Sequence, residues 1–144
     1  MPRIGILTCS NATQELGCSS ASCLADLRKK RGSFSQYKDE GPLDLVGIIN
    51  CAGCPTVIGS DKLIKRIRGL TDFRIDVIHF ANCVKCLCPF KKKYLSDLQK
   101  EFPDIKFHIG THRDIITDDE FRSRVKNLFC QTQKTMIDMI LGKD

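Results

Sequence analysis

The chain has 144 residues with nine cysteines, no tryptophan and a formal charge of +6, a length that suits one domain able to bury roughly two thirds of its unfolded surface without disulfides. No run approaches eighteen apolar residues and no secretory leader pattern is present, so a membrane span and an exported, disulfide-stapled scaffold are both excluded as expectations. A cytoplasmic, reduced setting is expected instead, where clustered thiols bind metal or exchange electrons.

The first predicted strand covers residues 3–8 and runs into Cys9-Ser10. A polar loop carrying Cys18 follows, and Ser19 or Ser20 caps a helix that holds Cys23, buries Leu24 and Leu27, and runs to Arg31 before Gly32 stops it. Residues 33–42 form a connector whose Phe34 and Tyr37 are expected to tuck against the fold. Leu45, Val46, Gly47, Ile48 and Ile49 then make a short apolar run that reads as a buried strand, closed by Asn50-Cys51-Ala52-Gly53-Cys54-Pro55. A second helix is expected to begin between Val57 and Ser60, with Leu63, Ile64, Ile67 and Leu70 at helical spacing.

The third strand, residues 75–80, leads to a loop with Cys83, Cys86 and Cys88, and Pro89 is placed as the first residue of a third helix that Cys88 would cap. Phe90, Tyr94, Leu95 and Leu98 give that helix its apolar stripe, and Pro103 ends it. A fourth strand, residues 105–109, alternates like an edge strand and finishes at Gly110-Thr111-His112. Thr117 to Glu120 is a capping box, with Ile116 and Phe121 as its staple, opening one long last helix over 117–141 whose far end is free to pack outside the domain, as in a homodimer.

Strand and helix alternate four times. The fold class is therefore α/β: three layers, a four-stranded mainly parallel sheet with helices on both faces, in a flavodoxin-like order of 2-1-3-4. That order gathers Cys9, Cys51, Cys54, Cys83, Cys86, Cys88 and His112 at one edge of the sheet, with Cys18 and Cys23 near enough to join. Thiolates held together repel one another unless a cation or a cluster absorbs the charge. The reading is a tetrahedral thiolate-rich site for zinc or an iron–sulfur cluster, with Cys51, Cys54, Cys83 and Cys88 first, Cys9 and His112 next, and Cys18 and Cys23 as ligands of a second site.

Competing readings were weighed on the same residues. Cys51 and Cys54 have the spacing of a dithiol/disulfide redox pair. A phosphatase-type loop at Cys9 would need an arginine where Glu15-Leu16 stands. Cys130 on the last helix and His79 inside a strand read as core residues, and His108 as solvent-facing. The basic groups Lys29-Lys30-Arg31, Lys65-Arg66-Arg68 and Lys91-Lys92-Lys93 read as solvated helix faces, and without interleaved aromatics they do not predict nucleic-acid binding.

Cys9, Cys18, Cys23, the Asn50-Cys51-Ala52-Gly53-Cys54-Pro55 loop, the strand 76–79 with Cys83, Cys88-Pro89 and Gly110-Thr111-His112 together resemble the CGGC-domain family over residues 3–112. The resemblance implies metal binding without an assigned reaction. The chain departs from the family at Ala52, where the family has Gly, and carries an additional Cys86.

Overall fold

The computed structural model describes residues 1–53, 60–128 and 134–143. Its strands β1 (Arg3–Thr8), β2 (Asp44–Asn50), β3 (Val77–Phe80) and β4 (Lys106–Ile109) are all parallel and lie in the order β2-β1-β3-β4. This is the expected order. Thr8 pairs with Asn50, Leu7 with Phe80, and Phe80 with Ile109, so the four carboxyl ends finish nearly flush on one rim. The chain leaves β1 toward β2 on one side and later reaches β3 on the other, which makes the end of β1 the switch point of the sheet.

Residue alternation assigns the two faces. Gly5 and Gly47 are paired across β1 and β2, and a Cβ at Gly47 would stand 2.7 Å from the Leu70 side chain, so these glycines let helix α2 (Asp61–Thr71) lie close on that face. Leu63, Ile67 and Leu70 form its buried stripe. The opposite face carries Ile6 and His79. Over His79 lies a 3₁₀ turn, Gly32–Tyr37, that stacks Phe34 with ring centroids 4.7 Å apart. His79 Nδ1–H donates to the Gly110 carbonyl (2.9 Å), leaving Nε2 to accept from Tyr37 O–H (2.8 Å). Phe34 and Tyr37 are buried as expected, and His79 is a satisfied core histidine that burial pushes down to a pKa of about 4.

Four expectations are corrected. The Leu45–Ile49 run is an edge strand and only half-buried, because β1 is its sole strand neighbour among the described residues. Helix α1 (Ala21–Arg28) stops short of Arg31, since Lys30 and Gly32 turn to positive φ and the buried Asp26 pairs with Arg31 instead. The Cys83 segment is a helix, α3 (Asn82–Leu87), and not a loop; Cys88 caps its carboxyl end, and Pro89 precedes α4 (Lys91–Glu101) by two residues.

The fourth correction concerns the last helix, which is two: α5 (Asp118–Leu128) and α6 (Met136–Ile140). Thr135 is extended (φ −128°, ψ 174°) and starts α6 with its own capping box to Asp138. The Met136 amide donates to the Leu16 carbonyl, and Met136 and Met139 are buried, so this end packs on its own domain. At Thr117 the N-cap half of the expected box is present, with the Glu120 amide donating to Thr117 Oγ1 at 3.1 Å. Val57, Phe129, Cys54 and Cys130 lie outside the described residues. Among the described residues no helix is long and apolar enough to cross a membrane.

Candidate metal centre

The end of β1 sets the geometry of the rim. Parallel pairing carries the Cys51 amide onto the Thr8 carbonyl (2.8 Å) and the Ala81 amide onto the Leu7 carbonyl (2.8 Å), so the chains after β2 and β3 start beside Cys9. Two successive amides of β1's continuation then point at sulfur. Cys9 N–H donates to Cys83 Sγ (3.2 Å) and Ser10 N–H to Cys51 Sγ (3.4 Å). Ser10 also donates through Oγ to the Cys51 carbonyl (2.6 Å), and Asn50 Oδ1 accepts from both Thr8 Oγ1 (2.5 Å) and Thr13 Oγ1 (3.0 Å). The Cys51 loop is thereby tied to the Cys9 loop at several points.

The thiols divide between two neighbouring cavities. Cys9, Cys51 and Cys88 line one of about 30 Å³, walled by Leu7, Val84 and Tyr94. Cys18, Cys23, Cys83 and His112 line a smaller one of about 10 Å³. Cys83, grouped from sequence with Cys51, Cys54 and Cys88, faces this second cavity, because α3 turns it away from the Cys88 end. Cys86 lines neither. It is buried and its thiol donates to the Asp118 carboxylate (3.3 Å), joining α3 to the first turn of α5.

Protonation follows the same geometry. The Cys9 thiol hydrogen-bonds Cys51, which holds Cys51 down at a pKa of about 5 with further help from Ser10 and Gly53, against the opposing effect of burial. The same hydrogen bond, together with burial, pushes Cys9 well above the ordinary thiol range. Burial pushes Cys83 up to about 12, Cys23 up to about 11 and Cys86 up to about 12. Of these five thiols Cys51, half-exposed on the rim, is the one held below the ordinary thiol range.

His112 is fixed by a residue that sequence reasoning missed. Asn82, buried at the start of α3, accepts from the Thr111 amide (2.9 Å) and donates to the His112 carbonyl (2.9 Å) and to Asp114 Oδ1 (3.1 Å). Thr111 Oγ1 in turn contacts Cys23 Sγ (3.2 Å). Gly110 makes this turn at φ 120°, and Gly32 packs so closely against it that a Cβ would stand 2.7 Å from the Thr111 carbonyl oxygen. Asn82 and Ser10 carry no signature of their own type. Their positions immediately beside rim cysteines were the available signal.

The donor chemistry suits a soft ion: three thiols share the larger cavity, and one of them is held ionised. Among the described residues, however, no three His, Cys, Asp or Glu side chains are gathered in an arrangement that would close on a metal. Cys54, two residues beyond Ala52, lies outside the described residues. Gly53 takes a positive φ of 98° whereas Ala52 does not, so the methyl group at Ala52 introduces no backbone strain. The family model described as CGGC domain matches residues 3–112. No curated protein and no solved structure matches the chain.

Proposed function

The chain belongs to the CGGC-domain family, and from that premise we propose that it is a metal-binding protein holding one soft ion, zinc, through the thiolates of Cys9, Cys51, Cys54 and Cys88. The observation that carries this reading is the shared cavity: Cys9, Cys51 and Cys88 come from three separate segments and line one space of about 30 Å³. Three sulfurs converging on one small space suit the coordination of a single soft ion. The Cys51-x-x-Cys54 spacing supplies the fourth donor in the pattern of tetrahedral zinc sites. Four thiolates would leave no open coordination position. The half-exposure of Cys51 and Cys88 favours an ion that is exchanged with a partner over one that is sealed in.

A second reading rests on the ionised Cys51. A thiol held near a pKa of about 5 at a strand end is also what a dithiol/disulfide couple with Cys54 requires. Anaerobic purification followed by elemental analysis and an absorption spectrum separates the possibilities. About one colourless zinc per chain, lost in Cys9→Ser, Cys51→Ser and Cys88→Ser but kept in Cys23→Ser and Cys83→Ser, is the expected result. A brown chromophore would replace zinc by an iron–sulfur cluster. No metal, with a titratable Cys51–Cys54 disulfide, would establish the redox reading. Zinc that survives Cys51→Ser would remove this loop from the site.

A further inference from the structure

Helix α2 presents two stripes. Leu63, Ile67 and Leu70 face the sheet, while Lys62, Lys65 and Arg66 stand exposed on the other side at spacings of three and four residues. With Ala52 they frame an open hollow of about 380 Å³ beside the Cys51 loop. Among the described residues none of the three has a carboxylate in ion-pairing distance, whereas Arg68 on the same helix pairs with Glu101 and Lys93 of α4 with Asp97. Asp61, at the first position of the helix, is the nearest acidic residue in sequence, and the segment 54–59 (Cys-Pro-Thr-Val-Ile-Gly) holds no carboxylate. Like charges at these spacings destabilise the helix that carries them. Here those cations stand beside Ala52, the residue next to Cys51.

We propose that this face, Lys62, Lys65 and Arg66 beside Ala52, is the docking surface for an acidic protein partner, which it brings against the Cys51 loop. Charge complementarity selects the partner. The hollow is open and, among the described residues, has no buried side-chain donor, so a small anion would gain little there, while a protein surface bearing several carboxylates could meet all three cations at once. Three cations without a stacking aromatic are too few phosphate contacts for a nucleic acid. Such an encounter is weak, fast and salt-dependent, as suits a partner that arrives, exchanges and leaves. The inference is independent of whether the thiols hold an ion or exchange electrons.

The test is a titration of ¹⁵N-labelled full-length chain with an octaglutamate peptide, followed by amide chemical shifts. Fast-exchange shifts centred on Ala52, Lys62, Lys65 and Arg66 are expected, with affinity falling at least tenfold between about 20 mM and about 200 mM salt. The double reversal Lys65→Glu and Arg66→Glu should abolish them, while the matched reversal Lys29→Glu and Lys92→Glu leaves them in place. Shifts centred on Lys29–Arg31 or on Lys91–Lys93, no shifts at all, or shifts indifferent to the α2 reversal would overturn the proposal. So would an eight-nucleotide oligothymidine that moves the same amides at lower concentration, since the surface would then be one for nucleic acid.

Discussion

His79 should make the fold acid-sensitive in a window set by its burial. Its pKa in the folded chain is about 4 against an ordinary 6.5, because the ring is desolvated, an effect that outweighs the opposing pull of its hydrogen bond to the Gly110 carbonyl. Below pH 6.5 the unfolded chain takes up a proton at this position that the folded chain refuses. Stability is therefore full above about 6.5 and drains away as pH falls toward 4, by about 2 kcal/mol at pH 5 and about 3 kcal/mol in the acid limit. His108, with its ring centroid 5.0 Å away, adds to the penalty when it is charged, and Tyr37 accepts no proton in this range. His79→Gln removes the titration. At pH 7.5 the variant should be less stable by about 1–3 kcal/mol, since the Gln amide has both an acceptor and a donor but lacks the ring that packs against Phe34 and fixes the two hydrogen bonds. Its further loss between pH 7.5 and pH 5 should be smaller than that of the native chain by about 2 kcal/mol. Urea unfolding followed by far-ultraviolet circular dichroism, with chelator present throughout, measures both. Parallel losses in the two proteins would refute the assignment of this acid sensitivity to His79.

Three other outcomes follow from packing and protonation. Gly32→Ala puts a Cβ 2.7 Å from Thr111 O and 2.8 Å from Arg113 N at a φ of +57°, so it should cost about 2–4 kcal/mol in urea unfolding; a loss under 1 kcal/mol would mean the turn yields. Cys86→Ser should keep the hydrogen bond to Asp118 and leave metal content unchanged, whereas Cys86→Ala should lose about 1 kcal/mol of stability. In chelator-treated protein, iodoacetamide should label Cys51 at a rate that stops rising above about pH 6, since the thiolate already predominates there, while Cys23, Cys83 and Cys86 stay unlabelled at pH 7 until the chain unfolds. Peptide mapping by mass spectrometry reads the order, and early labelling of Cys83 would contradict it.

The sheet was legible because its information is local and repeated. The first three strands are short, largely apolar runs and the fourth alternates, each bounded by turn residues, and helical crossovers between them leave a parallel sheet as the economical solution. The rim was legible for the same reason, since a cysteine after each of the first three strands, and His112 after the fourth, is carried to the same edge by strand direction alone. Two helices were not. In α3 the spacing of Cys83, Val84 and Leu87 is helical, but Pro89 drew the boundary to the wrong side of it. In the last segment Met136, Ile137 and Ile140 continue the apolar phase of α5, which masked the Thr135–Asp138 capping box that starts a new helix. How the thiols divide between two cavities depends on which way each Sγ turns, and that follows from the amides of Cys9 and Ser10 and from the rotation of α3. Neither is written in residue spacing.

Because the larger cavity draws on Cys9, Cys51 and Cys88, it has no existence in any fragment that does not span residues 9–88. During synthesis, at about 5–20 residues per second, the roughly eighty residues separating Cys9 from Cys88 mean several seconds in which the earliest thiols have emerged and their last companion has not. The cavity therefore cannot close until Cys88 has emerged, and over that interval Cys9 and Cys51 depend on the reducing power of their surroundings to reach it unmodified.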